Sequence, residues 1–130
     1  MTKLVAALSA VIALAVPAVA GAGASTLQND SIVWVDAVQS AEALCTASSA
    51  PVVGGPVALA WDGAAPDGAR MVVGCGAVQN DRTVAYASST GIQHAAGTAV
   101  ATVRPGGYTA CATLFVIFND GTARSEDHCP

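Results

Sequence analysis

The sequence is poor in basic residues. Among its 130 residues, one lysine and four arginines stand against nine acidic residues, and the formal net charge is −4 at pH 7. A concentrated basic face, which binding to nucleic acid or anionic membranes requires, is therefore excluded. Aromatic residues are also scarce, with two each of tryptophan, tyrosine and phenylalanine. Because alanine-rich cores bury less area per residue, covalent cross-links should matter more than usual.

Residues suited to catalysis are few as well. His94 and His128 are the only imidazole bases, and the sequence has neither a Gly-x-Ser-x-Gly elbow nor a glycine-rich phosphate loop. Residues 88–90 lie close to His94 in sequence, but an ordinary serine- and threonine-rich loop explains that proximity. We predict that the protein is not an enzyme. A hydrolase with a site at His94 or His128 is the alternative.

The segment Glu126–Cys129 is the one cluster typical of metal ligands. Its side chains alternate across a strand, so Glu126 and His128 share a face that the neighbouring acidic residue does not. Two ligands are too few for a closed site. Acidic residues elsewhere, such as Asp62 and Asp81, are explained by turn formation. We predict neither a metal nor a cofactor.

The first 24 residues have the pattern of a cleaved signal peptide. Lys3 precedes an apolar run from Leu4 to Val16, and small-residue motifs then favour cleavage after Ala20 or Ala24. The run is short for a hydrocarbon core of about 30 Å, so a membrane anchor is disfavoured. We predict a secreted protein with a leader at 1–24 and a single domain at 25–130. That domain has four arginines and nine acidic residues, which give a formal charge of −5. We predict that it has no stable membrane anchor.

Four cysteines follow the leader: Cys45, Cys75, Cys111 and Cys129. An even number in an exported chain of this size predicts two disulfides. A three-residue turn at 119–121 would make the numbers of opposed residues sum to 240, which places Cys111 opposite Cys129. We favour Cys45–Cys75 with Cys111–Cys129. The pairing Cys45–Cys111 with Cys75–Cys129 stays open.

Short apolar runs separated by glycine, proline, asparagine and aspartate predict an all-β fold. Strands are expected at 31–38 and 57–61, with a hairpin formed by 71–78 and 83–87. Residues 97–129 are expected to form three antiparallel strands joined by two tight turns. The remaining segments are a loose tail at 25–30, a strand or short helical turn at 37–47, and an irregular stretch at 88–96. About seven strands at ten-residue intervals indicate a small antiparallel sandwich or barrel.

The order Cys45, Trp61, Tyr108, Cys111, with a Pro-Gly-Gly corner before the tyrosine, resembles that of immunoglobulin-like domains. The resemblance covers residues 44–118 and implies an immunoglobulin-like β-sandwich with a disulfide between its two sheets. Tyr108 stands three residues before Cys111, whereas two is usual in that family. The odd offset puts the two side chains on opposite faces of a strand, which argues against a Cys45–Cys111 bridge.

The last hairpin has two faces of different character. One carries Cys111, Thr113, Phe115 and Ile117 with the cysteine, acidic and small residues opposite them. We predict that this face is core, because it holds the cysteines and no basic side chain. The other combines apolar residues with Arg124, Glu126 and His128. We predict that it is an ordinary amphipathic outer face or a surface that meets a partner. Trp34 and Trp61, set within apolar strands, are predicted to be core.

The leading functional hypothesis is a non-enzymatic extracellular binding module, whose partner is an unknown extracellular protein or a cell-wall component. Because sandwiches present loops at their ends, the candidate binding residues are Asp62, Asp67, Arg70, Met71, Asn80 and Arg82. An enzyme inhibitor that inserts residues 69–72 into a protease belongs to the same class. The alternative is a structural cell-surface or envelope protein that assembles through the mixed face of the last hairpin. Abundant alanine and glycine, with arginine in place of lysine, is typical of a GC-rich bacterial source.

Overall fold

A computed structural model describes residues 26–37, 39–49, 56–103 and 107–130 of the protein. These residues form eight β-strands and no helix. The strands are β1 Thr26–Trp34, β2 Ala41–Ser49, β3 Pro56–Ala64, β4 Arg70–Gln79, β5 Arg82–Ile92, β6 His94–Thr102, β7 Thr109–Ile117 and β8 Ala123–His128. The all-β prediction is confirmed, with one strand more than the seven expected. The predicted leader at 1–24 lies outside the described residues.

The strands make two four-stranded antiparallel sheets. Sheet 1 has the order β1-β2-β3-β6 and sheet 2 the order β5-β4-β7-β8. Side chains alternate along the strands, so one face of each sheet turns toward a shared core. Within the described ranges, no helix is long and apolar enough to cross a membrane.

Small residues line much of this core and let the sheets approach closely. The inward side of β2 consists of Ala41, Ala43, Cys45 and Ala47. Trp34 and Trp61 supply the bulk that the alanines lack, and their side chains are buried as predicted, at 3% and 5% exposure.

Both disulfides have the favoured pairing, and the alternative pairing is wrong. Cys45–Cys75 joins β2 to β4 through the core, and both residues are fully buried. Cys45 lies opposite Trp61 in the sheet register, so the indole is a direct neighbour of this bridge. Cys111–Cys129 links β7 to the end of β8, at a Cα–Cα distance of 4.5 Å.

The register predicted for the last hairpin is also confirmed. Its pairs run from Ala112 with His128 to Ile117 with Ala123. The Phe118 N–H donates to the Thr122 carbonyl at 2.8 Å, and Gly121 has a φ of 87°. A left-handed glycine closing a three-residue loop fixes this register.

The expected trio of strands at 97–129 is wrong in its first member. β6 pairs with β3 in sheet 1 and has no pairing with β7. The chain crosses between the sheets after Val103 and before Tyr108, and both of these side chains are buried. The expected Arg104–Gly106 part of the turn lies outside the described residues. Alternating valine, alanine and threonine fits either sheet equally, so the sequence of β6 does not select a neighbour.

Two segments expected to be irregular are strands. The tail at 25–30 belongs to β1 from Thr26 onward, and Asp30 is buried there. The stretch at 88–96 is the end of β5 and the start of β6, divided only by Gln93 with a φ of 69°. Ser88 and Thr90 occupy outward positions of β5, where their hydroxyls meet solvent, whereas the inward Ser89 hydroxyl accepts the Trp61 Nε1–H. The ambiguous segment at 37–47 contributes its second half to β2, without helix.

The two faces of the last hairpin are the reverse of those predicted. Ala112, Leu114 and Val116 point into the core, whereas Thr113 and Ile117 are half-buried and Phe115 is exposed on the outside. The cysteines misled the assignment, because a bridge between neighbouring strands of one sheet needs no burial. The inward charges all lie on β8, an edge strand, where they reach past the core to the edge of the other sheet.

Four contacts between these inward β8 side chains and residues on or just after β1 form what we call the edge seam. The His128 Nδ1 lies 2.6 Å from Asp30 Oδ1, and the Trp34 Nε1–H donates to Glu126 Oε1 at 2.9 Å. Arg124 pairs with Asp36 at 2.9 Å, and its guanidinium lies 4.4 Å from the centre of the Trp34 ring. The charged groups of the inner face are thus paired; Asp30 is buried, whereas the Arg124 and His128 side chains stay partly exposed at the edge.

Candidate binding face

The predicted loop residues lie at opposite ends of the sandwich. Asp67 and Arg70 stand at the start of β4, whereas Asn80 and Arg82 stand just beyond its end. Nine residue steps along a strand span about 30 Å. The structure therefore does not bring these residues together into one site.

The β3–β4 loop is shorter than predicted and is held by internal bonds. Asp62 belongs to β3, and the loop occupies only residues 65–69. The Ala65 N–H donates to the Gln93 carbonyl at 2.9 Å, and the Gln93 N–H donates to the Ala69 carbonyl at 2.7 Å. The Asn119 side-chain amide donates to the Asp67 carbonyl. These bonds account for the polar composition of the loop without a ligand.

The prediction that Met71 belongs to an exposed binding segment is wrong. Met71 is 2% exposed, and β4 is an interior strand paired on both sides. Its register neighbours are Gly91 on β5 and Val116 on β7. A segment that enters a protease cleft must offer free backbone, and the backbone of this segment is paired on both sides from Arg70 onward. Arg70 is exposed and remains available.

The β4–β5 turn explains Asn80 by backbone conformation. Asn80 and Asp81 have φ values of 51° and 62°, as in the two-residue turn that suits the twist of a hairpin. Arg82 is exposed and makes no ion pair with any described residue. A depression of about 500 Å³ at this tip is lined by Gln79, Asn80, Arg82, Thr83 and Val84.

Each histidine is paired with a carboxylate. The His94 Nε2 lies 2.7 Å from Asp62 Oδ1 on the exposed side of sheet 1, and His128 contacts Asp30 in the edge seam. In the described ranges, no hydroxyl is hydrogen-bonded to either imidazole. The nearby Ser89 Oγ instead accepts the Trp61 Nε1–H at 3.0 Å. Nor do three metal-ligating side chains converge anywhere in these ranges.

The outer side of sheet 2, which we call the open face, exposes two aromatic side chains, whereas the exposed large apolar residues on the outer side of sheet 1 are the aliphatic Leu27, Val33 and Val100. Its charged side chains are Arg70, at one end of β4, and Asp127, on β8. The other outward positions hold hydroxyl, aromatic, aliphatic and glycine residues: Tyr86, Ser88, Thr90, Ile92, Val72, Gly74, Gly76, Val78, Cys111, Thr113, Phe115, Ile117, Ala123 and Ser125. The outer side of sheet 1, by contrast, carries Glu42, Asp62 and His94.

Large apolar side chains are exposed on the open face. Ile92 is 66% exposed, Tyr86 53% and Phe115 36%. Ile92 and Phe115, together with Val72 and Ile117, line an apolar depression of about 290 Å³ with Arg70 at its rim. Contiguous exposed apolar surface on a folded domain marks an interaction site more often than scattered single residues do.

The Tyr86 ring lies over two glycines of β4. A Cβ added to Gly74 would stand 2.6 Å from the Tyr86 Cζ, and one added to Gly76 would stand 3.4 Å from its Cδ1. The absence of side chains at both positions therefore leaves room for the ring against the strand. The sequence Gly74-Cys75-Gly76 was the available signal for this arrangement. It was missed because the neighbouring hairpin face had been assigned to the core.

Comparison with known protein families, with curated proteins and with solved structures yields no match for this chain.

Proposed function

We propose that the protein is a secreted, non-enzymatic binding module that holds its partner against the open face. The observation that carries this proposal is the exposure of Tyr86, Ile92 and Phe115 on a surface with only two charged residues. Depletion of charge combined with aromatic enrichment distinguishes the centre of an interface from ordinary surface.

Two features support export. The two disulfides are of the kind typical of extracellular proteins, and all four cysteines are used in them. The first 24 residues of the sequence have the composition of a leader that is removed.

The likeness to immunoglobulin-like domains supports an interaction role in general terms. Two packed antiparallel sheets, with an inter-sheet disulfide beside Trp61, are features in common. The strand order differs from that of immunoglobulin-like domains. There the second and third strands lie in different sheets, whereas β2 and β3 are neighbours in sheet 1. Sandwiches host many functions, so the partner has to be inferred from the open face and not from the fold.

The paired histidines give little support to the alternative of a hydrolase. An imidazole base needs a nucleophile within hydrogen-bond reach, and the described contacts of His94 and His128 are with carboxylates. Assembly of a structural envelope protein would now use the open face, since the mixed face of the last hairpin is internal.

A comparative pull-down tests the proposed function. The oxidised mature domain, its Phe115→Asp variant and a Val100→Asp control are immobilised and exposed to culture supernatant and to a cell-envelope fraction. Val100 is 73% exposed on the outer side of sheet 1, so its substitution adds the same charge to the opposite surface.

We expect a saturable partner that the wild type and Val100→Asp retain and that Phe115→Asp loses. Equal retention by all three proteins, or retention by none, would contradict the proposal. Concentration-dependent light scattering that Phe115→Asp abolishes would identify the partner as a second copy of the chain.

A further inference from the structure

Resting on the proposed function, the geometry points to a neutral saccharide as the ligand of the open face, stacked on the Tyr86 ring. The ring lies over Gly74 and Gly76, and Tyr86 is 53% exposed, so part of the ring is accessible to a ligand as a stacking platform. Sugar rings present patches of C–H groups on their faces, and these pack on aromatic rings in parallel orientation. An aromatic residue that combines an apolar body with a polar tip suits such a ligand.

Polar side chains lie on the strands on either side of this platform. Ser88 and Thr113 flank Gly74 in the register, on either side of the strand that the ring covers. Asp127 follows on the next strand beyond Thr113. Neighbouring strands are about 4.8 Å apart, so these side chains, from β5 to β8, extend across about 14 Å of the face.

None of these polar groups is engaged within the described part of the protein. There, the Tyr86 Oη and the side chains of Ser88, Thr113 and Asp127 form no hydrogen bond or ion pair, although their backbones are paired in the sheet. Each keeps its capacity for a ligand hydroxyl, and Asp127 adds a carboxylate that only accepts hydrogen bonds. Tyr86, Thr113 and Asp127 line one depression of about 340 Å³, bordered by the Cys111–Cys129 bridge. This volume falls within the roughly 300–1,000 Å³ usual for small-molecule sites.

A second aromatic ring extends the platform. Phe115 is the diagonal neighbour of Gly74 across β4 and β7, and such positions lie about 7–8 Å apart. Tyr86 and Phe115 therefore present two exposed rings on one face with a hydroxyl between them. An extended glycan chain, which offers successive sugar rings, fits this spacing better than a single monosaccharide.

Charge selects a neutral ligand. The one carboxylate beside the platform is Asp127, and the basic residue of the open face, Arg70, stands at the far end of β4. Stacked bases of a nucleic acid would need a basic groove for their phosphates, and the chain as a whole is acidic, with a net charge of −4. Anionic polysaccharides are disfavoured for the same reason.

The test uses an array of neutral plant, fungal and bacterial glycans, including cellulose, chitin and galactomannan, with pectate as the anionic control. The mature oxidised domain is compared with Tyr86→Ala, Tyr86→Phe, Gly74→Ala and Val100→Ala, and near-ultraviolet circular dichroism verifies the fold of each. Tyr86→Phe keeps the ring. Gly74→Ala keeps the tyrosine but lifts it from the strand. Val100→Ala changes the opposite surface.

We expect the wild type to bind at least one neutral glycan and Tyr86→Ala to lose about tenfold or more, as when an aromatic anchor is truncated. Gly74→Ala should lose affinity in parallel. Tyr86→Phe should stay within about threefold and Val100→Ala should be unchanged. Binding that Tyr86→Ala leaves intact, stronger binding to pectate, or no binding on the whole array would overturn the inference. If the array is blank but the pull-down yields a protein lost by Phe115→Asp, the saccharide is wrong and the binding function stands. If neither the array nor the pull-down detects binding, both the saccharide inference and the proposed binding function are wrong.

Discussion

The two sides of sheet 2 have environments opposite to those that their composition alone would predict. The inner side carries Arg124, Glu126 and His128 but faces the core, while the outer side is nearly free of charge but faces solvent. Each inner charge is on the edge strand β8 and has a partner on or just after β1. The difference teaches that, at the edge of a sheet, the position of a partner decides which side is internal, and the number of charges does not.

The largest expected difference in stability between the two sides of sheet 2 concerns two adjacent residues of β7. Val116 is fully buried and Phe115 is 36% exposed, on opposite sides of β7. We expect Val116→Asp to cost more than about 4 kcal/mol, because it buries a charge with no partner, and so to abolish folding. Phe115→Asp should lower the free energy of unfolding by only about 1–2 kcal/mol, because the ring is partly buried. Chemical denaturation measures both. Similar destabilisation by the two variants would contradict the inner and outer assignment.

The two disulfides should also differ, because one lies in the core and the other on the open face. Removal of the core bridge by Cys45→Ala with Cys75→Ala should cost about 3–4 kcal/mol by the loop-entropy relation. The bridge on the open face should be the first to be reduced, because Cys129 is exposed whereas Cys45 and Cys75 are not.

Alkylation under mild dithiothreitol, followed by tryptic mass spectrometry, measures the order of reduction. Trypsin separates all four cysteines at Arg70, Arg82 and Arg124. Simultaneous loss of both bridges would show that their environments do not differ as described.

A smaller difference in stability is expected between two single substitutions of a carboxylate, one in the core and one on the open face. The Asp30 Oδ2 accepts the Ala112 N–H at 2.8 Å, and its side chain is 3% exposed. Asp30→Ala leaves that buried N–H without an acceptor and should cost about 1–3 kcal/mol. Asp127→Ala, on the open face, should stay within about 0.5 kcal/mol. Thermal unfolding compares the two. A cost for Asp127→Ala as large as that for Asp30→Ala would remove the distinction between the sides.

The smallest effect is expected at the turn that joins the two strands of the hairpin. Hydrogen bonds from the Thr122 side chain and backbone lower the pKa of Asp120 below its ordinary value of 3.8. A lowered pKa in the folded state means that the carboxylate stabilises the fold above pH 3.8. This contribution is lost as the pH falls through the folded-state pKa. Thr122→Val, which keeps the backbone donor, should raise the Asp120 pKa toward 3.8 in an NMR titration. An unchanged pKa would contradict this cause.

Local chemistry made part of this fold predictable. The turn at 119–121 fixed a register, that register placed Cys111 opposite Cys129, and the remaining cysteines then paired. Trp34 and Trp61 were assigned to the core from their apolar neighbours alone. These inferences succeeded because each depends on residues close in sequence or on a single hairpin.

The errors concern choices between surfaces that only the assembled sandwich makes. The partner of Glu126 is Trp34, 92 residues earlier in the chain, and no periodicity reveals it. The alternation of β6 fits either sheet. The position of the Tyr86 ring depends on the pairing of β4 with β5, because that pairing brings the ring over Gly74 and Gly76. Candidate sites placed on loops by general expectation therefore left out the open face, which we propose as the binding face.

The most direct test of the central claim, that the open face is the binding face, is an NMR titration of the isotope-labelled mature domain with the retained partner or glycan. We expect the largest shift changes at Tyr86, Thr113 and Phe115, with residues on the outer side of sheet 1 and in the 65–69 loop unchanged. Shift changes concentrated at Val100 and His94, or in that loop, would contradict the account.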